Sequence, residues 1–148
     1  MFVFLEGATG AGKSTVTTRL QQMGYSVHHE NFIQLCQCNP DLPPHSLLMQ
    51  TKWMAELIAA LQRHVAMYQR DPASIKHGVV FLDRSPLTPA IYAARDASLD
   101  AQCKSYLLQL SLQLFASFRS TLLLCSADAY AVSLRRSHRL MQVKCIAV

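Results

Sequence analysis

The sequence has little charge and no apolar run long enough to cross a membrane. Charged residues make up 16% of the 148 positions and hydrophobic residues 51%. This composition excludes a highly charged, disordered chain and supplies enough apolar material for one packed core. The most leucine-rich region, residues 106–126, is interrupted by Gln109, Gln113 and Arg119, so it does not predict a membrane span. We expect a single domain over residues 1–148 with no membrane partner.

Cysteine is too sparse and too irregularly spaced for a disulfide framework or a zinc site. The chain has five, an odd number: Cys36, Cys38, Cys103, Cys125 and Cys145. Cys36 and Cys38 have no matching Cys or His pair, and structural zinc needs four ligands at suitable spacing. Free thiols persist in reducing compartments, and because a buried strand is predicted from Phe2 onward, we expect no cleavable leader in this sequence. We therefore expect an intracellular, cytoplasmic protein, with an organelle as the open alternative.

Short apolar runs alternate with helical patterns along the chain. Strands are predicted at residues 2–5, 25–29, 79–82 and 121–125, and helices at 13–23, 46–70, 100–118 and 128–140. Such alternation predicts an α/β fold with a parallel sheet and helices on both faces. The core stripe of the longest helix is predicted to comprise Met54, Leu57, Ile58, Leu61, Val65 and Tyr68.

The strongest motif is Gly-Ala-Thr-Gly-Ala-Gly-Lys-Ser at residues 7–14, which fits the phosphate-binding pattern G-x-x-x-x-G-K-[ST] in full. The glycines let several N–H groups point at one anion, and the following helix N-terminus also favours negative charge. Lys13 is expected to reach the outer phosphates, and Ser14 to ligate Mg²⁺. With ATP and Mg²⁺ as cofactors, the predicted nucleotide-binding residues are Gly7, Ala8, Thr9, Gly10, Ala11, Gly12, Lys13, Ser14 and Thr15.

Polar residues follow two further strands, at the sheet edge where α/β proteins bind ligands. Asp83 ends an apolar run and is predicted to hold Mg²⁺ with Ser14. Arg84, beside it, is expected to contact a phosphate or orient a carboxylate, and Ser85 is predicted to cap a helix. Glu30 follows the second strand, where a carboxylate can act as general base for a hydroxyl; an exposed loop glutamate is the alternative.

Positive charge is concentrated at the end of the chain. The net charge is +5, and residues 119–148 contribute +4 of it, from five cations and one acid: Arg119, Arg135, Arg136, Arg139 and Lys144 against Asp128. Arg135 and Arg139 are four apart and share a helical face, from which guanidinium groups can close over a phosphoryl group. No aromatic residue lies between Arg135 and Lys144 to stack on bases. We therefore predict a lid rather than a nucleic-acid surface, with a solvated basic face as the alternative.

The order of these motifs resembles the deoxynucleoside kinase family, which includes the viral thymidine kinases. The resemblance covers most of the chain and rests on Glu6-Gly7 before the loop, Glu30, Lys52-Trp53, Asp83-Arg84-Ser85-Pro86 and the pair Arg135 and Arg139. Thymidylate kinases are similar in Asp83-Arg84 followed by Ala90-Ile91-Tyr92. The glutamine that reads the base in the kinase family has no counterpart, since Ile58 falls near its position.

The resemblance implies a role for each matched residue. Glu30 matches the carboxylate that activates the sugar 5′-hydroxyl, and Arg84 the arginine that orients the site beside it. Trp53 matches a tryptophan lining the nucleoside pocket, and Arg135 and Arg139 match the lid arginines. The resemblance also implies that the family's last strand and helix are missing here, although the apolar tail at 141–148 is able to form a short substitute strand.

Three functions stay open on this reading. The leading one is phosphorylation of a deoxynucleoside by ATP, in nucleotide salvage; the second is a nucleoside monophosphate kinase; the third is a non-catalytic ATP-binding module or an inactive fragment. A GTPase is not favoured, because Asn-Lys-x-Asp is absent. A mechanical ATPase is not favoured either, because Asp83 is followed by Arg84 rather than by a glutamate that could activate water. The expected partner is a small nucleoside or nucleotide, and the oligomeric state, including a homodimer, stays open.

Overall fold

A sheet of mostly parallel strands forms the centre of the molecule. The computed structural model describes residues 1–118, 120–124 and 144–146. The strands are β1 Phe2–Glu6, β2 Ser26–His28, β3 Val80–Asp83, β4 Ser120–Leu124 and β5 Lys144–Ile146. Their order across the sheet is β2-β3-β1-β4-β5. The first four are parallel to one another, so the carboxyl ends of β1, β2 and β3 meet at one edge.

The connections between strands contain five described α-helices and two short 3-10 helices, Pro72–Ser74 and Lys76–Gly78. The α-helices are α1 Lys13–Gln22, α2 Phe32–Cys38, α3 Leu47–Arg70, α4 Leu87–Arg95 and α5 Ala101–Ser117. Side chains just before the two longest helices satisfy free backbone donors: Ser46 accepts from the Met49 N–H at 3.3 Å, and Asp100 from the Cys103 N–H at 2.7 Å. These N-caps explain why both helices begin where they do.

Helices pack on both faces of the sheet because side chains alternate along each strand. Phe4 and its register partner Leu82 face one side, where they pack with Leu61 of α3 and residues of α5. Leu5, the next residue in β1, faces the other side and packs with Val16 of α1. The predicted three-layer α/β fold is therefore confirmed.

Several expectations about individual elements need correction. Helix α2 was not predicted, and Tyr68, assigned to the core stripe of α3, is 46% exposed. Pro86, rather than Ser85, occupies the N-cap position of α4, although the Ser85 hydroxyl still accepts from the Leu87 N–H at 3.2 Å.

The sheet continues beyond β4. Strand β5 pairs antiparallel with β4, with Cys145 opposite Leu123, so the tail does form a short substitute strand and β4 does not lie at the sheet edge. The helix predicted at 128–140 lies outside the described residues. Within the described part of the chain, no helix is long and apolar enough to cross a membrane.

Candidate functional site

The loop between β1 and α1 has the backbone that its glycines permit. Gly10 has a φ of 82° and Gly12 a φ of 87°, in the left-handed region that residues with a Cβ rarely adopt. The Lys13 Nζ donates to the carbonyl oxygens of Gly7 and Ala8, both at 3.0 Å. The ammonium group is therefore held across the loop that phosphates occupy in this motif.

Lys13 is buried, with 6% of the residue exposed to solvent. Burial lowers the pKa of Lys13, and the positive charge of Arg84 lowers it further, while Asp83, Glu30 and Glu6 act in the opposite direction. An anion bound in the loop stabilises the charged form and so relieves the unfavourable burial. The loop is therefore electrostatically suited to phosphate.

Asp83, the last residue of β3, meets Ser14 in the first turn of α1. The Ser14 Oγ donates to Asp83 Oδ2 at 3.3 Å. Asp83 is 2% exposed, and its Oδ1 is buried without a hydrogen-bond partner among the described residues. Burial raises the pKa of this carboxyl, which the charge of Lys13 only partly offsets. A hydroxyl beside an unsatisfied carboxylate oxygen is a ligand set that suits Mg²⁺, so the predicted metal residues fit that ion.

Arg84 connects the loop to the segment that follows β2. Its Nη1 donates to the Gly7 carbonyl at 2.8 Å, and its Nε donates to Glu30 Oε2 at 3.2 Å. Burial lowers the pKa of Arg84, but the carboxylates of Glu30 and Glu6 outweigh that effect and raise it. The guanidinium group is therefore a fixed positive charge, held between two carboxylates.

One buried carboxylate, Glu6, belongs to the site although no role was predicted for it. Its Oε1 accepts from the Ser85 N–H at 2.9 Å, from the Ser85 Oγ at 2.8 Å and from the Thr88 hydroxyl. Its Oε2 lies 3.5 Å from Arg84 Nη1. The sequence signal for this residue is a lone acid at the end of an apolar strand, directly before the first loop glycine.

A cavity of about 500 Å³ opens over the loop. It is lined by Thr9, Gly10, Gly12, Lys13, Ser14, Thr15, Glu30, Phe32, Ile33, Arg84 and Tyr92. The Glu30 side chain is 28% exposed, and its Oε2 accepts from Arg84. Its Oε1 has no hydrogen-bond partner in the described part of the chain. The structure thus brings Glu30, Arg84 and the loop, which are far apart in sequence, to one cavity.

Aromatic rings from two helices form one wall of this cavity. Phe32 begins α2 and Tyr92 lies in α4, with ring centroids 6.3 Å apart. Trp53 packs against both, at 4.3 Å from Phe32 and 5.9 Å from Tyr92. Trp53 is 1% exposed and is not among the lining residues. The direct contact of Trp53 with a substrate therefore stays a prediction. Phe32, for which the sequence predicted no role, lines the cavity in its place.

Other candidate residues can be placed only in part. Arg135 and Arg139, predicted as the lid, lie outside the described residues. Cys36, Cys38 and Cys103 are free thiols. The described residues contain no group of three or more His, Cys, Asp or Glu side chains that could hold a metal ion.

Comparison with known proteins agrees with this loop geometry. Residues 2–146 match the model of a family described as an AAA domain. No curated protein matches the chain. The match names a class that uses nucleoside triphosphates, by hydrolysis or by transfer, and names no kinase family. Because it covers nearly the whole chain, the chain belongs to the AAA domain family of P-loop NTPases.

Proposed function

We propose that the chain transfers the terminal phosphate of ATP to the 5′-hydroxyl of a deoxynucleoside. The observation that carries the proposal is that Glu30 and the phosphate-binding loop face one cavity. A hydrolase needs room only for a water molecule beside the phosphate. This cavity, at about 500 Å³, includes the phosphate site and continues past the loop to Glu30, Phe32, Ile33 and Tyr92, which offer a side chain surface that a water molecule does not need.

Different residues around the loop have different roles in the proposed phosphoryl transfer. Backbone N–H groups of the loop and the Lys13 ammonium bind the phosphates and hold them in line with the acceptor. Ser14 and Asp83 would hold Mg²⁺, which would supply positive charge against the phosphate oxygens. Arg84 holds Glu30 through Oε2, which leaves Oε1 to accept the proton of the attacking hydroxyl.

The acceptor side of the cavity suits a planar group. Phe32 and Tyr92 present aromatic surface there, and aromatic side chains bind flat rings by offset or edge-to-face stacking. A nucleoside joins such a ring to a hydroxyl about one sugar away, which matches a cavity lined by both aromatic residues and a carboxylate. These features support a nucleoside over a small aliphatic alcohol.

An uncharged acceptor fits the charges better than a nucleoside monophosphate does. The cations among the described lining residues are Lys13 and Arg84. Lys13 is held across the phosphate loop, and Arg84 is already paired with Glu6 and Glu30. A second, dianionic phosphate therefore finds no unpaired cation in the described lining, and it meets the negative charge of Glu30.

The proposal is tested by single-turnover transfer of labelled phosphate from ATP to a panel of deoxynucleosides and nucleoside monophosphates. We expect transfer to at least one deoxynucleoside. Glu30→Gln should lower the rate by about 10²–10⁴-fold, the usual effect of losing a general base. Glu56→Gln makes the same chemical change at an exposed residue of α3 and should leave the rate unchanged.

Each alternative has its own outcome in this assay. Transfer to monophosphates but not to nucleosides supports a monophosphate kinase. Tight binding of ATP by a folded monomer without transfer to any acceptor supports the non-catalytic module. Release of free phosphate that no acceptor changes, with Glu30→Gln as fast as the wild type, contradicts the proposed role of Glu30.

The proposal also includes a lid from Arg135 and Arg139 rather than a nucleic-acid surface. A nucleic-acid site has an affinity that falls steeply with salt, because phosphate contacts release counterions. We expect weak binding of single-stranded DNA in a filter assay at all salt concentrations. Tight, salt-dependent binding would contradict the lid, and sedimentation of the same sample would show whether the protein is a homodimer.

A further inference from the structure

Glu6 is a carboxylate at the carboxyl end of β1, the central strand of the sheet. It is 6% exposed, and the four residues before it in β1 are all buried and apolar. A buried carboxylate is costly unless several donors satisfy it. Three donors do so at Oε1: the N–H and hydroxyl of Ser85 and the hydroxyl of Thr88. Such an arrangement fixes the carboxylate in one orientation.

The residue directly before Ser85 has an unusual backbone. Arg84 has a φ of 89°, which is rare for a side chain of this size and costs free energy that the surroundings must offset. Its own N–H donates to the Leu5 carbonyl at 3.0 Å, and the next N–H, of Ser85, donates to Glu6. Two successive hydrogen bonds to β1 therefore hold the turn in the conformation that directs Arg84 toward the loop.

The guanidinium group then links three parts of the site. Nη1 lies 3.5 Å from Glu6 Oε2 and donates to the Gly7 carbonyl at 2.8 Å, while Nε donates to Glu30 at 3.2 Å. Glu6 does not line the cavity, so it acts on the reaction only through its neighbours. Without the charge of Glu6, Arg84 keeps one carboxylate partner, Glu30, and only the Gly7 carbonyl still holds its guanidinium group to the loop.

We propose that Glu6 is a positioning residue that acts through Arg84, fixing the guanidinium group so that Glu30 is held at a set distance from the phosphate-binding loop. The part of this proposal that concerns rate rests on the proposed phosphoryl transfer. The part that concerns the position of Arg84 does not. A purely structural Glu6 would affect stability and leave the Arg84–Glu30 pair intact.

The first measurement needs no turnover. In ¹⁵N spectra of the whole chain, the Arg84 Nε–H should give a signal protected from solvent exchange, identified by its loss in Arg84→Lys. Glu6→Gln, which keeps the shape and removes the charge, should broaden or shift that signal and speed its exchange at least tenfold. Glu56→Gln is the matched control and should leave it in place. An unchanged signal in Glu6→Gln overturns the proposal.

A gentler variant covers the case in which Glu6→Gln fails to fold. Thr88→Val removes one donor to Glu6 and keeps the shape of a residue outside the cavity lining. It should shift the Arg84 signal in the same direction by a smaller amount. If Thr88→Val folds and leaves both the signal and its exchange rate unchanged, the proposal is overturned.

The second measurement is a double-mutant cycle on kcat and KM. Glu6→Gln should lower kcat about tenfold or more with KM for ATP changed less than threefold, and the loss should vanish in an Arg84→Lys background, because residues that act as a unit are not additive. Losses that multiply independently overturn the proposal. If the wild type transfers no phosphate, but Glu6→Gln still shifts the Arg84 Nε–H signal and speeds its exchange, then the proposed function is wrong and the positioning role of Glu6 is supported.

Discussion

Asp83→Asn should have opposite effects on the empty and the nucleotide-bound protein. Burial raises the pKa of the Asp83 carboxyl in the folded state, so the folded protein binds the proton more tightly than the unfolded chain does. Stability therefore falls as the pH rises from about 4, the ordinary aspartate pKa, through the raised value, and the penalty is fully present above it. Removing the charge at neutral pH should leave the free protein at least as stable as the wild type.

The bound protein should lose most of its extra stability in the same variant. Changes at a metal site commonly weaken metal binding by about 10–100-fold. With Mg²⁺–ATP at about 100 times its Kd, the wild type gains about 2.7 kcal/mol, whereas a 100-fold weaker site gains about 0.4 kcal/mol. For a chain of this size 1 kcal/mol corresponds to about 3 °C, so the shift in Tm should fall from about 8 °C to about 1 °C.

Differential scanning fluorimetry with and without Mg²⁺–ATP measures both effects. Asp41→Asn, an exposed aspartate outside the cavity lining, is the control and should behave as the wild type. An Asp83→Asn variant with a full nucleotide-induced shift would show that Asp83 does not hold the metal. If nucleotide-free Asp83→Asn had a Tm several degrees below that of the nucleotide-free wild type, the charge of Asp83 would not be destabilising in the folded state.

Two further predictions concern other titratable side chains, Lys13 and the pair His28 and His64. Lys13→Ala should weaken the binding of a non-hydrolysable ATP analogue by about 1.5–3 kcal/mol, or about 10–150-fold in affinity, because a charge-assisted contact to phosphate is lost. Equal affinities of the variant and the wild type by calorimetry would show that Lys13 does not contact the phosphates. Burial lowers the pKa values of His28 and His64. The positive charge of Arg63 lowers both pKa values further, and the charge of His64 also lowers that of His28. Stability should therefore fall as the pH drops below about 6.5, by about 1.4 kcal/mol per pH unit for each proton taken up on unfolding, and His64→Gln should flatten that slope in urea titrations.

The parts of the site that sequence predicted are those fixed by local rules. The loop and α1 follow from a motif whose glycines, lysine and serine act within a few residues of one another. Asp83 could be placed because the carboxyl ends of parallel strands share one edge. The family match supports the same P-loop class, while the acceptor remains a proposal.

The parts that sequence did not predict depend on distant contacts. Helix α2 has no fully buried residue, and its Phe32 packs against Trp53 of α3. No local sequence pattern indicates this contact between two helices. Glu6 was passed over because its partners, Ser85 and Thr88, lie about 80 positions away. Tyr68 has helical spacing like the core residues, but it lies near the end of α3, where its ring stands beside Gly78 and the residue is 46% exposed.

The chain carries its own optical probe of the acceptor cavity. Trp53 is the sole tryptophan, and its indole is closed to solvent while its ring lies 4.3 Å from Phe32, a residue of the cavity wall. A molecule that enters between the wall and Glu30 and moves Phe32 changes the surroundings of the indole and hence its emission. A nucleotide that occupies only the loop leaves that contact in place. Tryptophan fluorescence can therefore distinguish donor binding from acceptor binding in the unmodified protein, without a label and before any product forms.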